Sequence, residues 1–130
     1  MHRSAATAAA MIALVAATPA YAVGDAPAPP PEGLFLTAAG EDNAWTRGVR
    51  LTCAPTPDGP HPDAAAACQA LDMAGGDLDR LPGEARACTK IYEPVTVSAQ
   101  GEWRGRPTSW QKTYANSCEL DVATGALFRF

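Results

Sequence analysis

Histidine is scarce in this chain, and its cysteines are few and widely spaced. The 130 residues include two histidines, His2 and His61, and four cysteines, none of which forms a Cys-x-x-Cys pair. Structural zinc sites are usually built from closely spaced cysteines and histidines. A metal centre is therefore not expected, and no cofactor is indicated.

An excess of basic residues is also lacking. The chain has 10 Lys and Arg against 14 Asp and Glu, for a formal net charge of −4. Nucleic-acid-binding proteins need a basic face, and so do proteins that bind anionic membrane surfaces. Neither kind of partner is expected.

The one long apolar run is too short to span a bilayer. It extends from about residue 5 to residue 17, follows the basic residues His2 and Arg3, and precedes Ala20-Tyr21-Ala22. A spanning helix needs roughly 20 apolar residues, whereas a signal peptide has this shorter run followed by an Ala-x-Ala cleavage site. The pattern predicts a signal peptide at 1–22 and a secreted, extracellular product.

The remaining chain is predicted to form one domain. Residues 23–33 are rich in alanine and proline and should form a flexible arm, which leaves 34–130 as the folded part. The four cysteines of an exported chain favour two disulfides, for which three connectivities are open.

Hydrophobic patterning predicts five strands and one main helix. The strand segments are 34–37, 49–53, 95–98, a return strand that opens at 102–104 after a turn at Gln100-Gly101 and continues over 109–114, and 126–130. The helix should begin at Asp63 and end at Gly75-Gly76. This order predicts an α+β fold.

The segment Cys88-Thr89-Lys90-Ile91-Tyr92-Glu93-Pro94 has the features of a protease-binding loop. Lys90 could fill a deep, acidic specificity pocket, with Lys90-Ile91 as the bond presented for cleavage. A disulfide at Cys88 would tie down one side of that bond. Pro94 has a fixed φ and favours extended geometry at Glu93, which would stiffen the other side. A rigid loop loses little entropy on binding.

The sequence resembles the Streptomyces-type subtilisin inhibitor family over nearly all of residues 34–130. The matching segments are Leu-Thr-Cys-Ala-Pro at 51–55, Gly-Pro-His-Pro at 59–62, Ala-Cys at 67–68, Gly-Gly-Asp-Leu at 75–78, the loop with its following valine at 88–95, Gly-Glu-Trp at 101–103 with Gly105, and Asn-Ser-Cys-Glu at 116–119.

The resemblance implies a fold and a pairing of cysteines. The fold is a five-stranded antiparallel sheet packed by one main helix and a short second helix, with bridges Cys53–Cys68 and Cys88–Cys118. It also implies a homodimer formed through the other face of the sheet.

The resemblance further implies a substrate-like inhibitor of trypsin-like and subtilisin-like serine proteases, with reactive bond Lys90-Ile91. The loop residues that would contact the protease are Ala87, Cys88, Thr89, Tyr92, Glu93 and Pro94. Asn116, two residues before Cys118, would support the loop. The family often has proline where this chain has Thr89, so that side of the loop should be less stiff, and Ala87 offers little contact area.

Two other functions are compatible with the residues alone. A small hydrolase would have to use His61 beside a serine, or a free cysteine. A binding module could keep the scaffold without inhibiting any protease.

Overall fold

The computed structural model describes residues 13–20, 24 and 32–130. Most of the predicted signal peptide and arm, residues 1–12, 21–23 and 25–31, therefore lies outside the described residues. Residues 13–20 are exposed and form neither helix nor strand. Within the described ranges no helix is both long enough and apolar enough to cross a membrane.

The core of the fold is a four-stranded antiparallel sheet. Its strands are β1 (Gly33–Gly40), β2 (Thr46–Leu51), β3 (Val95–Trp103) and β4 (Arg106–Tyr114), in the order β2-β1-β3-β4. Alternate residues of each strand point to opposite faces. The buried face of β1 and β3 consists of Leu34, Leu36, Ala38, Val95, Val97 and Ala99.

Two α-helices are present in the described chain. Helix α1 (Ala64–Met73) begins after Asp63, whose carboxylate accepts a hydrogen bond from the Ala66 amide, and the chain leaves it through Gly75 and Gly76 at positive φ. These limits confirm the predicted main helix. The short second helix is α2 (Ser117–Thr124), in a stretch where hydrophobic periodicity gave no helix signal.

A disulfide joins α1 to the end of the sheet. Cys53 lies two residues after the end of β2 and is bridged to Cys68, with a Cα–Cα distance of 5.5 Å. Both cysteines are buried, as is Leu71 on the same side of α1. The bridge closes a loop of 15 residues, which should contribute about 3 kcal/mol by restricting the unfolded chain.

The prediction of a fifth strand at 126–130 is wrong. Residues Gly125–Phe128 form a 3-10 helix instead. Leu127 and Phe128 are adjacent in sequence and both buried, at 0% and 7% exposure. A strand would send neighbouring side chains to opposite faces, whereas a tight helical turn that packs on α1 and α2 can bury both.

The predicted turn at Gln100-Gly101 is also wrong. Strand β3 continues through Gln100 and Gly101 to Trp103, and the hairpin turns at Arg104 and Gly105, with φ values of 47° and 78°. Two positive φ values are typical of the tight turn that suits strand twist. Gly101 serves instead as a point of close approach, because a Cβ there would overlap the Gly33 carbonyl oxygen of β1.

Replacing Gly101 should therefore destabilise the sheet more than a glycine replacement that introduces only backbone strain. Gly75→Ala is the matched control, since Gly75 has φ 62° and no atom within 4 Å of its Cβ position. Strain of this kind costs about 1–2 kcal/mol. We expect Gly101→Ala to lower the free energy of unfolding by about 3 kcal/mol or more in urea denaturation. Equal losses in the two variants would contradict this account.

Candidate functional site

The candidate site is an extended surface loop between buried anchor points. Residues 81–94 contain neither helix nor strand. Leu81 and Pro94 are buried at its two ends. Between them Cys88 is half-buried, and the other residues from Ala87 to Glu93 are exposed. The loop is thus presented to solvent with its ends packed in the domain.

Lys90 lies at the most accessible part of this loop. Its side chain is 93% exposed, and its Nζ lies 3.8 Å from Oε1 of Glu119. An ion pair this exposed contributes at most about 1 kcal/mol and commonly much less. The lysine can therefore leave Glu119 at little cost and enter a pocket on another protein.

Both sides of Lys90 are fixed to the domain. Cys88 is bridged to Cys118 at the start of α2, with a Cα–Cα distance of 5.7 Å. On the other side, the amide of Glu93 donates to the carbonyl oxygen of Ala115 at 2.9 Å. The next residue, Pro94, is buried and leads directly into β3.

The buried side chain of Asn116 binds the backbone of the loop on both sides of Lys90. Its Nδ2 donates to the carbonyl oxygens of Thr89, at 3.1 Å, and of Ile91, at 2.9 Å. These two carbonyls lie on either side of Lys90, and each takes one of the two amide hydrogens. Asn116 is only 6% exposed, so water competes weakly for these bonds.

The same side chain also begins a helix. Asn116 is the N-cap of α2, where its Oδ1 accepts from the Glu119 amide at 2.8 Å. Asparagine is among the preferred N-cap residues because its oxygen satisfies an amide that has no partner within the helix. With its oxygen used by the helix, the Asn116 amide group is oriented towards the loop.

Of the remaining residues that were predicted to contact a protease, Pro94 is buried and the others are on the surface. Tyr92 is 71% exposed and Ile91 61%, so neither is a core residue. Thr89 and Glu93 are exposed as well. All of these side chains are free to contact a protease.

His61 and the cysteines, on which the alternative of a hydrolase depends, are committed to other contacts. His61 is buried, with Nδ1 accepting from the Asp63 amide at 3.0 Å and Nε2 donating to the Leu127 carbonyl at 2.9 Å. Both ring nitrogens are thus used by the backbone. All four cysteines are in disulfides, which removes the option of a cysteine nucleophile. Among residues 13–20, 24 and 32–130, no group of three potential ligands is placed to hold a metal.

Charged residues around the loop were not predicted from the sequence. Glu119 pairs with Lys90, and a cluster of four further charges lies at the amino side of the loop. The cluster comprises Glu84, Arg86, Asp121 and Arg129. Its members are up to 45 residues apart, so local pattern gives no signal for their contacts.

Comparison with known proteins identifies the family of this chain. A profile of the subtilisin inhibitor-like family matches residues 30–116. The chain belongs to the subtilisin inhibitor-like family. It is similar to subtilisin inhibitor-like protein 4 of Streptomyces lavendulae, with 46% identity over 105 residues that cover 77% of this chain and 90% of that protein. Subtilisin inhibitor-like protein 5 of Streptomyces fradiae is 44% identical, covering 77% and 98%.

A solved structure is similar as well. It is Streptomyces caespitosus sermetstatin in complex with Bacillus licheniformis subtilisin, with a TM-score of 0.61, 29% identity, and coverage of 75% of this chain and 97% of sermetstatin. Membership of the subtilisin inhibitor-like family makes this chain a protease inhibitor of that type and not an enzyme.

Replacing Asn116 by aspartate should separate its two roles. Aspartate is an equally good N-cap, so α2 should persist, but it cannot donate to the loop carbonyls and would place a negative charge beside them. We expect amide hydrogen exchange at Glu93, whose amide is bonded to the Ala115 carbonyl, to accelerate about tenfold or more, corresponding to about 1.4 kcal/mol, with little change in α2. Asn116→Ala, which removes both roles, should also loosen α2. Unchanged loop exchange in Asn116→Asp would show that the two hydrogen bonds do not restrain the loop.

Proposed function

We propose that this member of the subtilisin inhibitor-like family inhibits trypsin-like and subtilisin-like serine proteases by the substrate-like mechanism, with Lys90-Ile91 as the reactive bond. The observation that carries the proposal is the Asn116 amide, whose two hydrogen bonds reach the carbonyls of Thr89 and Ile91. A support of this kind holds the residues on both sides of Lys90 whether or not the bond after it is intact.

The chemistry would begin as ordinary proteolysis. The serine hydroxyl of the protease attacks the Lys90 carbonyl carbon, and the enzyme's histidine accepts the hydroxyl proton. The bond to the Ile91 nitrogen then breaks, and that nitrogen takes the proton as it becomes an amine. Lys90 is left as an ester of the serine.

The released amine would remain beside the ester. Ile91 is held through its own carbonyl by Asn116 and through Glu93 by the Ala115 carbonyl. Lys90 is held through Thr89 by Asn116 and through Cys88 by the disulfide to Cys118. An amine fixed near an ester has a very high effective concentration, so attack by the amine reforms the peptide bond faster than water hydrolyses the ester.

The lysine sets the expected range of target enzymes. A long cationic side chain, exposed almost completely, suits a trypsin-like pocket that ends in a carboxylate. Subtilisin-like enzymes have an apolar pocket that can accept the methylene stem of lysine. The sermetstatin complex supports this second class, because sermetstatin is similar to this chain and binds a subtilisin.

We also propose that the chain forms a homodimer through the open face of the sheet. Phe35 on this face is 45% exposed, with the Arg50 guanidinium 6.0 Å from its ring centre. Thr37 and Ser98, on neighbouring strands, hydrogen-bond to one another at 2.5 Å, which leaves a face of small polar side chains around the phenylalanine. A second copy presents the same face and can bury the same ring.

Removing the charge of Lys90 should abolish inhibition of trypsin. The chain has two lysines, so Lys112→Gln on β4 is the matched control for Lys90→Gln. We expect Lys90→Gln to raise the inhibition constant for trypsin by at least about a thousandfold, since the acidic pocket loses its partner, and to affect subtilisin far less. Neither change should alter the free energy of unfolding by more than about 0.5 kcal/mol.

Amino-terminal sequencing would identify the bond itself and the proposed export. The secreted protein should begin Val23-Gly24-Asp25 if the signal peptide is removed after Ala22. After incubation with a trace of trypsin at mildly acidic pH, a second sequence should begin Ile91-Tyr92-Glu93. Cleavage elsewhere, or strong trypsin inhibition by Lys90→Gln, would exclude Lys90-Ile91 as the reactive bond.

A charge placed on the open face should dissociate the dimer. We expect light scattering to give the wild-type protein twice the mass of one chain, and Phe35→Glu the mass of one chain, because burial of two facing carboxylates is unfavourable. Met73→Glu is the control, since Met73 is an equally apolar, 69% exposed residue on α1. Wild-type protein that is monomeric at the same concentration would contradict the proposed dimer.

A further inference from the structure

The amino side of the loop lacks the stiffness that proline would provide. Thr89 has a free φ, and the chain from Pro82 to Thr89 forms neither helix nor strand. Two backbone hydrogen bonds are made in this stretch, from the Glu84 amide to the Val122 carbonyl at 2.9 Å and from the Arg86 amide to the Glu84 carbonyl at 3.1 Å. Another restraint is needed to fix the chain between these two hydrogen-bonded amides and Cys88.

Four charged side chains close a ring at this position. Arg86 contacts Asp121 at 2.5 Å and Glu84 at 3.5 Å. Arg129 contacts Glu84 at 2.9 Å and also hydrogen-bonds the other carboxylate oxygen of Asp121. Each carboxylate therefore lies between two guanidinium groups, and each guanidinium lies between two carboxylates. We refer to Glu84, Arg86, Asp121 and Arg129 as the charge ring.

The charge ring joins three parts of the chain. Glu84 and Arg86 belong to the segment that leads into the loop, and Arg86 lies two residues before Cys88. Asp121 lies on α2, whose N-cap is Asn116, and Arg129 follows the 3-10 helix Gly125–Phe128. Because Arg86 Nη1 also lies 3.8 Å from Cys118 Sγ, the ring is adjacent to the disulfide.

Cooperation within the ring matters because its members are exposed. The four side chains are between 31% and 49% exposed, and an isolated ion pair at such a site contributes little. Two arrangements of exposed charges contribute more than an isolated pair. One is a network of several charges, and the other is a guanidinium group that binds one carboxylate through two nitrogens. The ring is a network of the first kind, in which each guanidinium contacts two different carboxylates.

The negative charge of Asp121 in the ring should persist at mildly acidic pH. The hydrogen bond from Arg129, and then the positive charges of Arg129 and Arg86, hold the pKa of Asp121 below its usual range. A lowered folded-state pKa means that the stabilisation is present above the ordinary aspartate pKa of about 3.9 and is lost as pH falls below it. Asp121 therefore keeps its negative charge at mildly acidic pH.

We propose that the charge ring positions the amino side of the loop against α2. A proline immediately before Lys90 would otherwise have this role. These are positioning residues, since the ring itself does not include Lys90 or Ile91. The proposal rests on the proposed function in that the positioned segment carries the Lys90 ester after cleavage. With the ring intact, both sides of the bond are held to the same short helix.

The test compares two exposed aspartates that each bind arginine. Asp121→Asn opens the charge ring. The control Asp72→Asn breaks the pair in which Arg104 donates to both Asp72 oxygens, at 2.9 and 3.1 Å, at the end of α1 and away from the loop. Both changes remove one charge and keep the side-chain shape, so they differ in location. Arg129→Gln opens the ring from its opposite side and serves as a second variant.

The first measurement is amide hydrogen exchange of the free protein, which needs no protease. We expect Asp121→Asn and Arg129→Gln to accelerate exchange at the hydrogen-bonded amides of Glu84 and Arg86 about five- to tenfold, with β1 and β3 unchanged, and Asp72→Asn to leave these amides unchanged. One molar salt, where the Debye length is about 3 Å, should partly reproduce the effect in the wild-type protein and add little in Asp121→Asn. Unchanged loop exchange in both ring variants would overturn the proposal.

The second measurement separates loop positioning from binding. With trypsin, the ring variants should show a hydrolysis rate of the Lys90-Ile91 bond raised about five- to tenfold at nearly unchanged association rate, because the ester side of the cut loop is less well held. A purely structural role would change the free energy of unfolding without raising the hydrolysis rate at an unchanged association rate. If wild-type protein does not inhibit trypsin, the proposed trypsin inhibition fails, whereas the exchange experiment still decides whether the ring holds the loop.

Discussion

Two hydrogen bonds from one buried amide hold the exposed loop in place. Asn116 can make them because its own oxygen is committed to the first turn of α2, so the side chain has a single useful orientation. That orientation depends on α2, which is anchored by its own buried side chains Leu120 and Thr124 and packs on the 3-10 helix Gly125–Phe128 and on β4. A surface loop is thus positioned by a chain of contacts that begins in the hydrophobic core.

The two disulfides serve different parts of this arrangement. Cys53–Cys68 lies in the core and fixes α1 to the end of β2, so it supports the domain as a whole. Cys88–Cys118 lies at the surface and joins the loop to the first turn of α2, one residue before Glu119, whose amide is capped by Asn116. A domain of about 100 residues has a modest core, and a covalent link lets it hold an irregular loop that packing alone would leave mobile.

Sequence patterns correctly predicted the structural features that depend on residues close together in the chain. Main helix α1, the presence of two disulfides and an α+β fold follow from periodicity, capping and cysteine number, and all are found. The prediction of a fifth strand was wrong because the alternation of Phe128 and Phe130 looks the same in a strand and in a packed tail. The prediction of a turn at Gly101 was wrong because close backbone contact and a turn both favour glycine. The charge ring could not be predicted, since ionic contacts between distant surface residues leave no local signal.

Holding both ends of a loop to one element has a consequence for a bond that is cut and reformed. If the two ends were attached to separate elements, their relative motion would set the distance between amine and ester. Here Cys118, which is bridged to Cys88 of the loop, Asn116 and Asp121 all belong to α2 or its cap, so movements of that helix carry both ends together. The distance between the amine and the ester is then governed by the internal rigidity of two helical turns. A short helix at the surface can therefore restrain the two ends of this loop as a large interface would.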